Sequence, residues 1–260
     1  MREGIQMEND KELQQLRNRF RELADKAFSQ NVFTFTGFLG LSEQDVFWKM
    51  ERELAYAGYT LYGGAGESDR QVIRFGNAEE LGYEVPFPIV CVHVSPLMAK
   101  FADKLSHRDF LGALMNLGIE RSTVGDIRVG DKEAYLFCLD SIAAFICENL
   151  GQVKHTNVRC EIVDEAAQVP EEEPERVSVQ VASLRIDAVI AKVYNKSRES
   201  CLELFRTQKV YVDGRLCENN SRQLKQGETV NARGYGKLRV VGEPRETKKG
   251  KLSLEVLVYR

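Results

Sequence analysis

The stretch SLRIDAVIAKVYNKSRESCLELFRTQKVYVDGR, residues 183–215, decides the fold. Leu184, Ile186, Ala188, Val189, Ile190 and Val193 recur at helical spacing behind Ser183, a residue type that caps helices. Arg185, Asp187, Lys192 and Lys196 form the polar flank of that helix. Ser197 is placed to cap a second helix over residues 198–208, with Cys201, Leu202, Leu204 and Phe205 inward. Residues 209–215 then read as strand and turn, because Asp213-Gly214 tolerates positive φ. Downstream, SRQLKQGETVNARGYGK (residues 221–237) gives a second turn into a strand, then the basic turn Gly234-Tyr235-Gly236-Lys237 before a strand over 238–241.

The charge is uneven around this stretch. The whole chain carries a net charge of -3. Residues 182–260 hold 17 Lys and Arg against 9 Asp and Glu, while the other residues hold 19 against 30. A basic C-terminal segment on an acidic body points to a localised polyanion site, although an ordinary solvated basic surface fits the same count. Residues 161–176 carry seven acidic side chains, one basic side chain and two prolines, which reads as a self-repelling linker.

Upstream, the spacing gives an α+β organisation. Leu13, Leu16, Phe20, Leu23 and Ala27 predict an amphipathic helix over 11–28. Ser42 and Asp45 stand as cap and third residue of a helix over 43–57, and residues 59–65 and 71–75 form a short hairpin. Residues 86–163 alternate strand 89–94, helix 109–117, strands 124–129 and 134–139, helix 142–150 and strand 157–163. That β-α-β-β-α-β order fits a ferredoxin-like or RRM-like sandwich. The expected divisions are 1–76, a helical unit with hairpin; 77–163, the RRM-like domain; 164–180, the acidic linker; and 181–260, the C-terminal module.

No run approaches the roughly 18 apolar residues of a membrane span. The N-terminus is polar with no apolar signal region, so a cytoplasmic protein is expected. The six cysteines form no Cys-x-x-Cys pair and are expected as free thiols. His93, His107 and His155 lack metal-ligand spacing, so no metal and no cofactor is expected.

The ordered positions of residues 183–215 and 221–237 resemble the S4 domain, two short helices beside a small strand unit, over about 55 residues. The departures are Cys201 for a small residue of the second helix, Gln208 for a glycine before the first strand, and Asp213-Gly214 for Asn-Gly. The resemblance implies RNA binding by Arg185, Lys196, Ser197, Arg198, Lys209, Arg222, Lys225, Arg233 and Lys237. Of these, Arg185, Arg198, Lys209 and Lys225 stand where two helix N-termini and a hairpin converge in that fold, a surface suited to phosphates. With few aromatic platforms there, structured RNA is the expected ligand.

The string HRDFLGALMNLGIERSTVGDIRV (residues 107–129), preceded by FTGFL (35–39) and GGAGESDR (63–70), extends the resemblance along nearly the whole chain to the YlmH-type S4 proteins of Gram-positive bacteria and cyanobacteria. That likeness implies binding to rRNA of the large ribosomal subunit near peptidyl-tRNA, in the rescue of stalled translation; with no catalytic motif among the residues, a non-enzymatic protein is expected, and a monomer. Arg108, Arg121 and Arg128 are candidates for a second RNA surface. Asp109 reads as a helix cap with Ser106, and Gly63, Gly64 and Gly66 as a tight turn, since no Gly-Lys-Ser/Thr follows. Tyr135 and Phe137 alternate on one strand, as a core pair or as an RRM-like stacking pair. Two rivals stay open: an S4-targeted pseudouridine synthase or methyltransferase, whose catalytic strings the residues do not supply, and a cell-division factor that binds proteins.

Overall fold

The computed structural model describes residues 2–66, 68–163, 174–247 and 250–259. They divide into two compact units, Met1–Pro170 and Glu171–Arg260. The pieces expected separately as 1–76 and 77–163 therefore lie in one unit.

In the first unit, α1 (Arg2–Gln30) is longer than the expected 11–28 and packs on α2 (Leu41–Leu54). Phe20, Leu23, Ala24 and Ala27 meet Val46, Phe47, Met50 and Leu54 in one core cluster, which is the period of 3.6 read as packing. The start of α2 differs from the expected Ser42/Asp45 cap. The helix begins two residues earlier, with Gly40 as cap and the Glu43 carboxylate accepting the Gly40 N–H at 2.6 Å. Asp45 instead pairs with Lys49 at 2.7 Å along the helix. Strands β1 (Thr34–Phe35), β2 (Tyr59–Tyr62) and β3 (Val72–Phe75) form a small antiparallel sheet in the order β1-β3-β2. Arg74 of β3 is buried between the rings of Phe33 and Phe87, at 4.8 and 5.0 Å, and donates to Val85 O and Glu84. A short helix α3 (Ala78–Leu81) follows.

The β-α-β-β-α-β order is present. Strands β4 (Ile89–Pro96), β5 (Val124–Val129), β6 (Ala134–Leu139), β7 (Gln152–Val153) and β8 (Thr156–Val163) pair antiparallel in the order β5-β6-β4-β8-β7. Helices α4 (His107–Asn116) and α5 (Asp140–Asn149) connect β4 to β5 and β6 to β7. Their Phe110, Leu114, Ala143 and Ile146 cluster with Val92, Val94, Leu136 and Cys138 of the sheet. Because strand side chains alternate, Cys91, Tyr135 and Phe137 face the other way, and there they meet Phe38 and Val72 of the preceding segment. The approach is close. At Gly64, φ is 95° and a Cβ would lie 2.3 Å from the Phe137 ring. At Gly125 a Cβ would lie 2.6 Å from Phe38. The glycines around 63–66 thus form a turn pressed on an aromatic ring.

In the second unit, α6 (Ile186–Val193) and α7 (Arg198–Arg206) pack on a sheet. Its strands are β9 (Glu175–Val181), β10 (Val210–Val212), β11 (Arg215–Leu216), β12 (Thr229–Ala232), β13 (Gly236–Val240), β14 (Arg245–Glu246) and β15 (Leu252–Tyr259). The order is β11-β10-β12-β13-β15-β14, with β9 also pairing β15. The core joins Ile186, Val189, Ile190, Cys201, Leu204 and Phe205 to Val210, Val230, Leu238, Val256 and Val258. Asp213 (φ 49°) and Gly214 (φ 76°) both turn left-handed between β10 and β11, as the Asp-Gly pair requires.

The start of α6 and the linker differ from the expected ones. Helix α6 begins at Ile186 with Arg185 as its cap, so Ser183 is not the cap. The linker expected over 164–180 falls on residues 164–173 outside the described ones, and over 175–180 on strand β9 instead. Glu175 to Val181 pair residue by residue with Val258 to Leu252, because Val177, Val179 and Val181 alternate with polar neighbours. Beyond the strand expected over 238–241, β15 joins β9 to β13.

Gln208 takes the left-handed conformation, φ 52°, at the end of α7. The Lys209 N–H returns to Leu204 O at 2.8 Å and the Gln208 N–H to Phe205 O at 3.1 Å, a Schellman-type stop. A glycine suits that position better, since a Cβ there is strained. We expect Gln208→Gly to raise the stability of the second unit by about 1 kcal/mol, read by chemical denaturation. We also expect a fragment beginning at residue 174 to unfold cooperatively, and one beginning at residue 182 to melt lower and less sharply, because it lacks β9. Equal melts for the two fragments would show that β9 is dispensable.

Candidate nucleic-acid interface

The basic residues of the second unit fall into two groups with different surroundings. The first is closed on itself. Arg185 Nη2 and Nε donate to Asp187 Oδ2 and Oδ1 at 2.8 and 3.1 Å, a two-pronged pair. The Asp187 side chain is 3% exposed. It also accepts the Ala188 N–H at 2.8 Å and faces Asn220 Nδ2 at 3.4 Å. Burial pushes the Asp187 carboxyl up. The hydrogen bond and charge of Arg185, the Ala188 N–H and the charge of Arg198 outweigh that and hold it below its ordinary value. Arg222 is likewise held, by Glu228 at 2.7 Å. The loop before Leu224 closes over the start of α6, where the Ile186 N–H donates to Arg222 O and the Asp187 N–H to Asn220 O. Of the two helix N-termini expected to converge on a ligand, that of α6 is thus partly satisfied by backbone carbonyls.

The second group is open. Ser197 caps α7, its hydroxyl accepting the Ser200 N–H at 3.1 Å, and it remains exposed between exposed Lys196 and Arg198. Arg198 forms no ion pair among the described residues, although its charge is felt at Asp187. Lys196 Nζ lies 5.2 Å over the Tyr235 ring, which touches Tyr194 at a centroid distance of 5.9 Å. Two residues before Tyr235, the Arg233 N–H donates to Lys209 O at 2.9 Å. The Arg233 guanidinium sits 6.0 Å from the Tyr211 ring. Arg198, Lys196, Arg233 and Lys209 are thereby linked through one capped helix start, one tyrosine and one strand pair. Lys237 lies over Tyr259 at 5.4 Å. Lys225 is exposed beyond the turn in which its N–H donates to Glu228. The residue that sequence reasoning missed is Tyr235, and its only signal was a tyrosine between two glycines in a basic turn.

The candidate second surface separates in the same way. Arg121 donates to the carbonyls of Val124 and Gly125. Burial foremost, and then the neighbouring charge of Arg70, pull its guanidinium down to about 10, still charged at neutral pH. Arg70 itself donates to Val124 O, Phe38 O and Arg121 O at 2.9, 2.8 and 3.0 Å. Arg128 donates to Gly66 O at 2.7 Å and lies 5.9 Å from the Phe137 ring. These arginines fasten the N-terminal segment to the sheet, and only Arg108 stands exposed at the start of α4. Asp109 is the cap partner expected of it, accepting from the Ser106 N–H at 2.8 Å. The stacking reading of Tyr135 and Phe137 is overturned. Phe137 is 0% and Tyr135 7% exposed, and Tyr135 lies against the His93 ring. Among the described residues all six cysteines are free thiols, four of them buried. No group of three or more His, Cys, Asp and Glu there could hold a metal ion, and no helix is long and apolar enough to cross a membrane.

Residues 86–166 match the family model described as "Putative RNA-binding domain in YlmH". Over 156 residues, 58% of this chain, the sequence is 31% identical to the ribosome-associated protein quality control protein P2 of Bacillus subtilis (strain 168). The match spans 61% of that relative's length. The structure also aligns with the cell division protein ylmH from Streptococcus pneumoniae, at a TM-score of 0.47 and 16% identity, over 61% of this chain and 95% of the other.

The pairing of Asp187 sets a stability test. Asp187→Ala leaves Arg185 and the Ala188 N–H without their acceptor and is expected to cost about 1–3 kcal/mol. Arg198→Ala is expected to stay within about 0.5 kcal/mol. The sign with pH follows from the depressed carboxyl. Its contribution is complete above the ordinary aspartate value of about 3.9 and fades as pH falls through the lower folded value. Acid unfolding of Asp187→Asn should therefore show a shallower pH dependence below about pH 4 than wild type. Equal losses from Arg198→Ala and Asp187→Ala would mean that Arg198 is the true partner.

Proposed function

We propose, from a middle domain of the YlmH RNA-binding type at residues 86–166, that this chain is a non-enzymatic RNA-binding protein of the ribosome. In this reading its second unit is an S4 domain that grips structured rRNA of the large subunit. The protein acts in the cytoplasm in translation, in the rescue of stalled ribosomes near peptidyl-tRNA. The observation that carries the reading is the open group, Lys196, Arg198, Lys209 and Arg233, exposed around the capped start of α7. Such a surface offers positive charge, a helix N-terminus and fork-shaped guanidinium groups to phosphate oxygens, with little to read bases. The two-helix, small-sheet arrangement of residues 186–240 supports the S4 assignment. The printed name of the Bacillus relative, a ribosome-associated quality control protein, supports the ribosome as partner. Arg185 and Arg222 serve the fold first in this reading, since each is held by a carboxylate.

Co-sedimentation with purified ribosomes tests the reading at Arg198. Arg198→Ala removes a contact, while Arg198→Glu adds repulsion from phosphate. We expect association to fall by about 10-fold for the glutamate variant, less for the alanine, with unchanged melts. Wild-type affinity should also fall with rising salt as counterion release demands. Unchanged co-sedimentation of a folded Arg198→Glu protein would remove this surface from the function.

A further inference from the structure

The middle sheet buries Tyr135 and Phe137, while the loop after β4 exposes large apolar side chains. In an RRM-like sheet, unpaired bases ordinarily stack on aromatic side chains of the face away from the helices. Here that position is occupied by Phe38, Val72 and the turn at Gly64. Yet Leu97, Met98 and Phe101, within five residues of the same domain, are 61, 62 and 72% exposed. A cluster of large apolar side chains at a loop tip is a contact surface more than a chance exposure.

The loop is also held in place. The Leu97 N–H donates to Asn157 O at 2.9 Å, the Asp103 N–H to Thr156 Oγ1 at 2.9 Å, and the Phe101 N–H to Met98 O at 3.1 Å. Lys132, from the β5–β6 turn, donates to Ala99 O at 2.8 Å. These bonds set the tip beside the β7–β8 turn and beside Lys132. The rim is cationic. Lys100 lies 5.8 Å over the Phe101 ring, Lys104 and Lys154 are exposed, and the charge of Lys154 reaches Asp109 at the start of α4. Of the nearby carboxylates, Asp109 is engaged as a helix cap, Asp103 has one buried oxygen without a hydrogen-bond partner, and exposed Asp131 adjoins Lys132.

We infer that this loop, centred on Phe101 and ringed by Lys100, Lys104, Lys132 and Lys154, is a second RNA site that takes unpaired nucleotides. A base stacks on the Phe101 ring with Met98 and Leu97 beside it, and the lysines meet the flanking phosphates. The inference rests on RNA being the ligand of the chain, and the loop lies inside the segment that matches the RNA-binding family model. Charge decides among occupants, because an apolar tip with a lysine rim complements a polyanion that has apolar faces. Base stacking tolerates any sequence, so the site adds grip on a single-stranded or looped region and does not read a motif.

Fluorescence anisotropy with a labelled single-stranded RNA of about 12 nucleotides, and with the matching duplex, tests this on the full chain. Phe101→Ala is expected to weaken single-strand binding by about 5-fold to 100-fold, Phe101→Trp to restore it, and neither to change duplex binding or the melting temperature. Lys100→Ala with Lys104→Ala should lower the salt slope for the single strand by about 1.4. The inference falls if wild type does not bind the single strand, or if Phe101→Ala binds it as wild type does. It also falls if Phe101→Ala loses binding only to vesicles of mixed phosphatidylcholine and phosphatidylserine, which would make the loop lipid-facing. Arg198→Glu measured in parallel separates the two proposals. Loss of ribosome association there, with an intact Phe101→Ala profile, leaves the ribosomal reading standing without the loop site.

Discussion

The Phe137 ring packs against Gly64, with Phe38 of the preceding segment beside it, and this contact determines what the middle sheet can do. It needs a residue without Cβ at two places, Gly64 and Gly125, and it buries the face that a sheet of this topology otherwise offers to bases. Arg70 and Arg121 serve the same contact. Their guanidinium groups satisfy carbonyls of Phe38, Val124 and Gly125, which the close packing takes out of water. Arg128 adds a bond to Gly66. With Tyr135 and Phe137 covered, the loop at Phe101 is one place in this unit where exposed apolar side chains and exposed lysines coincide.

The second unit solves a related problem with charge. A basic segment that pairs all its cations internally is a stable surface with nothing to offer. This one pairs Arg185 with Asp187 and Arg222 with Glu228, while backbone bonds from the Ile186 and Asp187 N–H groups to Arg222 O and Asn220 O fasten the loop before Leu224 onto the start of α6. Lys196, Arg198, Lys209 and Arg233 remain exposed. The surplus of 17 basic over 9 acidic residues in 182–260 is thus divided by geometry into a structural share and an available share.

Much of this was legible in the sequence. Period 3.6 marked α6, α7 and α1, and period 2 marked the strands of the middle sheet, because both reflect burial on one face. Asp213-Gly214 announced its turn, and Ser106 with Asp109 announced its cap. What stayed hidden depended on partners distant in sequence. Strand β9 reads as the tail of an acidic linker until β15 lies beside it, since the valines at 177, 179 and 181 are interrupted by charged and polar neighbours. Asp187 stood two residues from Arg185 and could as well have met Arg198, a choice that the helix start makes and the sequence does not. Tyr135 and Phe137 carry the alternation of a stacking pair or a core pair alike. Only the segment containing Phe38 and Gly64 decides between them.

The most direct measurement is ultraviolet crosslinking of the full chain to ribosomes, with the crosslinked peptides identified by mass spectrometry. Nucleotide adducts are expected on peptides spanning residues 196–198, 209–215 and 233–237, with a further adduct on the peptide carrying Phe101, and none on the peptide carrying Tyr135 and Phe137. Adducts concentrated on Tyr135 and Phe137, with the C-terminal peptides unmodified, would contradict this expectation.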